Sequence, residues 1–398
     1  MNLSRAPIVV VLGLLTRLPV GGVVWQTLHY LIGLQRLGFD VYYAEDHGMY
    51  PVMFSTDRNP DGTRSAAEFI HQTLEPYGFG ARWSYHAWHG EDQYRGMSES
   101  AVRQVFANAA AVINLSGGTL PRAEHRSSGA FIYLETDPVA PQIELHDGLE
   151  ATREFMAAHT AHFTYGENLG AADCKVPLPP APFRFHATRQ PIVLDLWEPL
   201  GGDAAELFTT VANWRQAERQ MTLDGEVYHW SKHHEFMKFI DLPQRTAQQF
   251  ELALSSFEPP DRKMLEARGW QVRRALEFSQ DADAYREYIK RSRGEWTVAK
   301  DQNIRLRSGW FSDRGATYLA AGRPVVTQET GFSNVLPTGC GLFAFTTMDE
   351  TLHALEQINA DYRRHSRGAA EIARECFDYK PVLTKLLGQA GVSLPTCI

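Results

Sequence analysis

Apolar runs and helical periods alternate along the first half of the chain. Residues 8–15 form an apolar run, as in a parallel strand that is covered on both faces. Gly21-Gly22 opens a stretch with apolar residues every three or four positions, which predicts a helix that ends before Gly38. Residues 40–45 predict the next strand. Further strands are predicted near 111–115, 130–134 and 162–165, with helices near 65–74, 98–107 and 143–158. This order predicts a doubly wound α/β unit.

A proline-rich segment, residues 176–191, interrupts the alternation and predicts a linker or an extended crossing segment. The α/β pattern then resumes. Strands are predicted near 208–212, 250–254, 272–277, 296–299, 324–327 and 342–345, and helices near 232–240, 282–291, 315–321 and, as one long stretch, 350–389. The predicted limits are 1–180 for the first Rossmann-like domain, 181–205 for the linker, 206–375 for the second domain and 376–398 for a final helix that crosses back. Ligands of such sheets bind beyond the carboxyl ends of the strands, so the cleft between the two units is the predicted site.

Composition narrows the class of protein. A chain of 398 residues is expected to form two domains. The net charge of −8 does not favour nucleic acid as a partner. Four cysteines without metal-ligand spacing favour a reducing, cytoplasmic setting. The first apolar run mimics a signal peptide but lacks a clear cleavage site, and no run is long enough to span a bilayer.

Four segments share a pattern with one group of enzymes. Residues 21–26 are GGVVWQ, followed by a helix and LGFDV at 37–41. Residues 230–236 are WSKHHEF and open a helix after the first strand of the second unit. Residues 307–326 are RSGWFSDRGATYLAAGRPVV, and TQETGF follows at 327–332. Together these segments resemble the GT-B glycosyltransferases, and more narrowly the retaining group with a Gly-Gly loop after the first strand. The resemblance covers nearly the whole chain and implies two Rossmann-like domains that face each other across a cleft.

The resemblance implies that a nucleotide-sugar donor, commonly a UDP-sugar, is held mainly by the second half of the chain. Helix N-termini and glycine-rich turns suit a diphosphate, because their N–H groups point at the anion. The implied donor-binding residues are Gly21, Gly22, Lys232, Lys300, Asn303, Arg307, Ser308, Gly309, Asp313, Arg314, Thr317, Thr330, Gly331 and Phe332.

Glycosyl transfer requires that the departing diphosphate be stabilised. Lys232 and Arg314 are predicted to do this without a metal or other cofactor, with Arg307 and Lys300 behind them. An inverting reaction also needs a general base, whereas a retaining one does not. Asp137, in a loop just past a strand, is ranked first for that role. The other candidates are His29, Asp46 and His47, of which His29 is expected to be a wall side chain.

One departure from the family leaves alternatives open. The family's pair of glutamates, eight positions apart, would fall on Gly309 and Thr317, so Asp313 becomes the candidate for the ribose contact. A nucleotide-sugar-binding protein with a decayed site and a sugar-nucleotide 2-epimerase are the alternatives. Histidines at 86, 89, 229, 233 and 234 lack a further ligand at telling spacing, so no metal is predicted. The acceptor, a small molecule or a glycan, is expected at the aromatic-rich loops 46–64 and 81–95, and the oligomeric state stays open.

Overall fold

The first half of the chain folds around a mostly parallel sheet. A computed structural model describes residues 6–55, 61–88, 93–126, 129–198, 206–216 and 220–395. In this part of the chain the first sheet has eight strands in the order β4-β3-β2-β1-β5-β6-β7-β8, and β4 alone runs antiparallel. The strands are β1 (Ile8–Leu12), β2 (Asp40–Glu45), β3 (Trp83–Ala87), β4 (Gln93–Gly96), β5 (Ala109–Leu115), β6 (Ala130–Glu135), β7 (Ala161–Thr164) and β8 (Phe185–Ala187).

Helices cover both faces of this sheet. They are α1 (Gly21–Arg36), α2 (Thr63–Leu74), α3 (Glu99–Ala107), α4 (Ala140–His146) and α5 (Glu150–Ala157). The single helix predicted over 143–158 is wrong, because Gly148 lies between α4 and α5 at φ +75° and ends the first of them. The proline-rich segment contains β8, which adds to the edge of the sheet.

The second half repeats the plan with a sheet of six parallel strands, in the order β13-β12-β9-β14-β15-β16 within the described residues. A separate antiparallel hairpin, β10–β11, turns at Asp224-Gly225, where both residues have positive φ. The strands are β9 (Leu207–Asn213), β10 (Met221–Leu223), β11 (Glu226–Tyr228), β12 (Gln249–Ser255), β13 (Gln271–Arg274), β14 (Gly294–Thr297), β15 (Val325–Gln328) and β16 (Leu342–Phe345).

The long C-terminal helical stretch is three helices, because Asp361 and Asp378 each cap a new helix with a side-chain oxygen. The helices of the second half are α6 (His233–Lys238), α7 (Leu242–Arg245), α8 (Pro259–Glu266), α9 (Leu276–Ser279), α10 (Ala282–Arg291), α11 (Asp301–Arg305), α12 (Asp313–Ala320), α13 (Met348–Ala360), α14 (Tyr362–Ile372) and α15 (Tyr379–Gln389).

The last helix, α15, returns to the first unit and packs against α1. A Cβ added at Gly33 of α1 would lie 2.7 Å from Leu383 Cδ1, so the two helices approach at a glycine. Arg36 at the end of α1 also pairs with Asp195, at 2.6 Å. The structure thus places α15 against α1, while the predicted limits of the crossing segment and of the domains stay predictions, and residues 199–205 lie outside the described ones.

The prediction of two doubly wound units is confirmed by the two sheets and their covering helices. Asp137 of the first unit and Lys300 of the second lie in loops at the carboxyl ends of parallel strands. No helix among the described residues is long and apolar enough to cross a membrane.

Candidate active site

A cross-unit ion pair lies at the carboxyl ends of β6 and β14. Asp137 follows β6 by two residues, and Lys300 follows β14 and precedes α11. The Lys300 ammonium pairs with the Asp137 carboxylate, and it also lies 3.3 Å from the ring centroid of Trp230. Oδ2 of Asp137 makes this pair, whereas the buried Oδ1 has no hydrogen-bond partner among the described residues. The structure therefore brings together two predicted residues that are 163 positions apart in the chain.

The loop that carries Asp137 is held in a strained conformation. Val139 is buried at φ +97°, a value that non-glycine residues rarely adopt. Gln142 fixes this turn, because its side chain accepts from Val139 N at 2.7 Å and donates to the buried Glu135 at 2.9 Å. Burial raises the pKa of Glu135 to about 8. Strain of this kind persists only where the surroundings impose it, which makes the Asp137 loop a candidate functional segment.

Lys232 lies at the start of α6 and points into the same region. Its Nζ donates to Val298 O at 2.9 Å and is 5.6 Å from the ring centroid of Trp310. Burial, together with the charges of Arg314 and Lys300, lowers the pKa of Lys232 to about 7. An anion beside Lys232 would offset both the burial of the ammonium group and its repulsion by the two neighbouring positive charges, because it favours the protonated form.

Arg314, in the first turn of α12, is held by an ion pair and hydrogen bonds within the second unit. Its Nε pairs with Glu295, which is fully buried in β14. Nη1 donates to Val211 O at 2.5 Å, and Nη2 donates to Thr297 Oγ1 at 3.2 Å. The guanidinium thus ties α12 to β9 and β14, and its charge acts on Lys232 through the field. Its predicted direct contact with a diphosphate stays a prediction.

A polar strip crosses the cleft from α12 to the Asp137 loop. Asp313 begins α12 and hydrogen-bonds to Gln26 of α1. Gln26 Oε1 accepts from Ser116 Oγ at 3.3 Å, and Ser116 Oγ lies 2.9 Å from Thr136 Oγ1. Trp310 Nε1 donates to Thr136 O at 3.0 Å. The strip presents hydroxyl, amide and carboxyl groups, which are the groups that bind sugar hydroxyls.

Burial raises the pKa of Asp313 to about 6, and the charge of Asp137 adds to that rise. The Asp313 carboxyl is therefore close to its titration range near neutral pH. Its place at the start of a helix, where the backbone N–H groups point outward, is the place predicted for the ribose contact.

A second set of predicted residues forms a close contact between the units instead of an open loop. Gly309 has φ +81°, and a Cβ there would overlap the backbone nitrogen of Asn168. Gly331 has φ +94°, and a Cβ there would lie 2.7 Å from Asn168 Nδ2. Asn168 Nδ2 also donates to Arg307 O at 2.9 Å. Glycine is needed at both positions because Asn168 of the first unit packs directly against them.

Arg307 lies at this contact and not at the lysines. Its Nε donates to Asp173 Oδ2 at 2.6 Å. Hydrogen bonds from Asn168, Arg307 and Asn334 hold the pKa of Asp173 at about 2. Arg307 therefore joins the two units.

The remaining donor-side residues are engaged within the second unit. Ser308 Oγ donates to Asn303 Oδ1 at 2.7 Å, and Thr317 Oγ1 donates to Arg314 O at 2.7 Å. Gly309 N donates to Thr330 O at 2.7 Å, and Gly331 N donates to Glu329. Phe332 is fully buried against Phe311. Binding of a diphosphate by these N–H groups stays a prediction, and it requires that the present bonds open.

The Gly-Gly segment contacts the second unit. A Cβ at Gly21 would overlap the Tyr285 ring, and one at Gly22 would lie 3.6 Å from the Tyr285 hydroxyl. Trp25 Nε1 donates to Ala282 O at 2.8 Å. The start of α1 therefore faces α10, and the small residue at 21 makes room for a tyrosine.

The other candidate bases lie in first-unit networks. His29 is buried, and the Val193 N–H and the Trp197 indole N–H contact its ring nitrogens. His47 lies 3.1 Å from Glu45. The Asp46 carboxylate takes four partners, which are His86, Trp88, Arg122 and His125.

Sequence reasoning missed several residues that organise the site. Glu295 lies in a buried strand with no motif to mark it. Trp230 and Trp310 lie inside the segments 230–236 and 307–326, which carry the resemblance. Trp230 also lies just after β11 and two residues before Lys232, and this position is the signal that indicates a role. Among the described residues no group of three His, Cys, Asp or Glu side chains could hold a metal ion.

Comparison with solved structures identifies the architecture. An α-glucosyltransferase bound to UDP and a 13-mer DNA with an HMU base is 9% identical, with a TM-score of 0.60 over 97% of this chain and 99% of that one. The sucrose-phosphate synthase of Thermosynechococcus elongatus is 11% identical, with a TM-score of 0.56 over 97% and 98%. HepE of Anabaena, bound to UDP and glucose, is 11% identical, with a TM-score of 0.55 over 97% and 100%.

The protein has the GT-B fold. These GT-B structures match nearly the whole chain on both sides, so the likeness includes both units and not a single Rossmann-like domain. No protein-family profile matches the chain, and no curated protein matches it. Because all of these sequence identities are below 25%, they show only the fold of this GT-B protein. Its chemistry has to be argued from its own side chains.

Proposed function

We propose that the protein is a glycosyltransferase that moves a sugar from a nucleoside-diphosphate sugar, with UDP as the first candidate nucleotide, to a hydroxyl group of an acceptor. The observation that carries this proposal is the convergence of Lys232, Lys300 and Asp137 where the two units of the GT-B fold meet. Two GT-B neighbours hold UDP, which supports the choice of nucleotide.

Lys232 and Lys300 are proposed to stabilise the departing diphosphate. The bond between the anomeric carbon and the diphosphate oxygen breaks, and its electron pair leaves with the diphosphate. Two ammonium groups at this point neutralise the charge that develops, with the field of Arg314 behind them. The lowered pKa of Lys232 fits a site that is organised for an anion, because the free site repels one more positive charge.

Asp137 is proposed to receive the acceptor hydroxyl. Oδ2 is paired with Lys300, and Oδ1 makes no hydrogen bond within the described part of the chain. A hydroxyl that donates to Oδ1 can give up its proton to Asp137, or to the departing diphosphate, as its oxygen bonds to the anomeric carbon. When a diphosphate takes Lys300, Asp137 is freed for this role.

Asp313 and Gln26 are proposed to bind hydroxyls of the donor. They already bond to each other across the cleft, so a donor that enters would replace one cross-unit hydrogen bond with two to itself. Asp313 would then serve in place of the glutamate that the family carries at position 317.

The experiment is a thermal-shift screen of the whole protein against UDP, GDP, TDP, ADP and their sugars. A ligand at a hundred times its Kd should add about 2.7 kcal/mol of stability. Mass spectrometry of the binding sugar nucleotide, incubated with and without candidate acceptors, then follows the sugar. Transfer supports the proposal. Binding without turnover supports the decayed-site alternative, and an epimerised nucleotide sugar supports the 2-epimerase. No shift with any nucleotide contradicts the proposal.

A further inference from the structure

A small cavity in the second unit lies outside the residues assigned to sugar transfer. Its volume is about 100 Å³, and its walls include Arg215, His229, Trp230, Ser231, His233 and His234. A cavity of this size accommodates several water molecules, and so a single tetrahedral oxyanion. The name histidine pocket is used below for this cavity.

The three imidazoles of the histidine pocket are packed together. The ring centroids of His233 and His234 are 3.9 Å apart, and those of His229 and His234 are 4.3 Å apart. Nδ1 of His229 is buried and has no hydrogen-bond partner among the described residues. A buried polar atom without a partner, on the wall of a cavity, indicates that a partner fits there.

The orientation of His233 follows from its neighbours. Ser231 Oγ donates its single hydrogen to Trp214 O at 3.1 Å and accepts from Gln216 N at 3.0 Å. His233 Nδ1 lies 2.7 Å from the same oxygen, so Nδ1 must be the donor in that bond. Nε2 of His233 is therefore free of a proton in the neutral ring and becomes a donor when the ring is protonated.

Arg215 supplies a fixed positive charge. It is held by Asp261, with Nη2 at 2.6 Å from Oδ1 and Nε at 3.2 Å from Oδ2. Nη1 has no partner within the described part of the chain. The wall residues that the structure describes include no carboxylate. The acidic groups that act on the histidines are Asp261, Asp301 and Glu235, and each is already bonded, to Arg215, to His229 N and to Lys238.

We propose that the histidine pocket binds a phosphate group, held by Arg215 and by protonated imidazoles. The group can belong to inorganic phosphate or to a phosphate monoester, which share the same oxygens. This site does not depend on the proposed sugar transfer. Phosphate is favoured over a metal ion because no group of three ligating side chains in the described chain could hold one, and because a guanidinium lines the pocket.

Occupancy of the histidine pocket depends on pH. Burial lowers the pKa of His233 to about 4, with His234, Arg215 and His229 adding to it, and burial and His229 lower that of His234. An anion favours the charged rings and raises both values. Binding therefore strengthens as the pH falls from 8 towards the free value of about 4. Sulfate, whose charge is constant in this range, reports the histidines alone.

The test is titration calorimetry of the whole protein with inorganic phosphate, glucose 6-phosphate and sulfate at pH 6 and pH 8. We expect binding at pH 6 and weaker binding of sulfate at pH 8. His234→Gln removes one charge-assisted hydrogen bond, which should weaken binding about ten- to hundredfold. The matched control is His353→Gln, an exposed histidine of α13 that should bind as the wild type does. Tighter binding of one probe identifies the source of the phosphate group.

Three results would overturn this inference. They are no binding of any probe at pH 6, equal loss in the His353 control, and displacement of phosphate by saturating UDP, which would place the anion at the lysines. Lys232→Ala separates the two proposals. It should abolish nucleotide binding and leave phosphate binding in the histidine pocket unchanged.

Discussion

The buried ammonium group of Lys232 lowers the stability of the free protein and is placed to bind an anion. Its ammonium is held at a pKa of about 7, against 10.5 for an ordinary lysine, by burial and by two neighbouring positive charges. Between these two values the unfolded chain binds a proton that the folded protein does not, so the contribution of Lys232 to stability rises with pH. Near neutral pH an anion in the site offsets this cost.

Replacement of Lys232 by methionine should therefore stabilise the free protein. We expect Lys232→Met to raise the free energy of unfolding by about 1 kcal/mol at pH 6, because an apolar chain of similar length removes a penalised charge. The same variant should lose nucleotide binding. Urea unfolding and the thermal shift with UDP measure the two effects. Lys263→Met, at an exposed position of α8, is the control and should change neither.

The pH dependence of nucleotide binding should carry the signature of Lys232. Above pH 7 the free site loses its proton, whereas the occupied site keeps it, so affinity should fall by about tenfold per pH unit from pH 7.5 to 9. Calorimetric Kd values over this range measure the slope. A Lys232→Arg variant, whose charge does not titrate in this range, should lose the slope, and a slope that persists there would assign it to another group.

Arg314 should behave differently, since its partner Glu295 is fully buried. Arg314→Ala leaves that carboxylate without its partner, and we expect a loss of about 3–5 kcal/mol in the free energy of unfolding. Chemical denaturation measures this loss. Arg291→Ala, on the exposed face of α10, should cost almost nothing. An Arg314→Ala protein as stable as the wild type would mean that the ion pair contributes no net stability.

For the strands and helices, the spacing of apolar residues was the most informative part of the sequence. They predict β2, β16 and α10 at their observed limits. The edge strands β4 and β8 and the hairpin β10–β11 have no such signal, because they are short and only partly buried. Helix breaks at Gly148, Asp361 and Asp378 are local events inside a continuous helical period, so periodicity alone does not reveal them.

The site was predictable in part for the same reason. Lys300 and Asp137 closely follow parallel strands, and the parallel topology brings such positions to one edge. Lys232 instead comes after the β10–β11 hairpin, which the sequence pattern did not reveal. The purpose of Gly309 and Gly331 was not predictable, because the residue that requires them, Asn168, is more than a hundred positions away in the chain. Their glycine spacing looks like a ligand-binding turn, whereas in this structure it accommodates the other unit.

Substitutions at these two glycines should separate side-chain from backbone contacts. Gly331→Ala and Gly309→Ala should each destabilise the protein by about 1–3 kcal/mol, from the positive φ and the overlap with Asn168. Asn168→Ala should relieve part of the cost at 331, where the overlap is with Nδ2, but not at 309, where it is with the backbone nitrogen. Urea unfolding of the two double variants measures the difference. Equal rescue would contradict this assignment of the contacts.

For the molecule as a whole, one apolar cluster joins the two units. It includes Val9 and Leu31 of the first unit together with Tyr285, Phe311 and Leu319 of the second. A large two-unit chain usually unfolds in steps. Because this core is shared, we expect far-ultraviolet circular dichroism and tryptophan fluorescence to report one transition at the same urea concentration. Two separated transitions would show that the units are independently stable.

The return of α15 to α1 also sets an order of events during synthesis. The apolar face of α1, at Gly33, is completed by Leu383, which the ribosome adds some 350 residues later. At roughly 5–20 residues per second, α1 waits several tens of seconds for its partner. During that time the first unit has an uncovered apolar face. The nascent chain therefore needs protection from aggregation until α15 emerges from the ribosome.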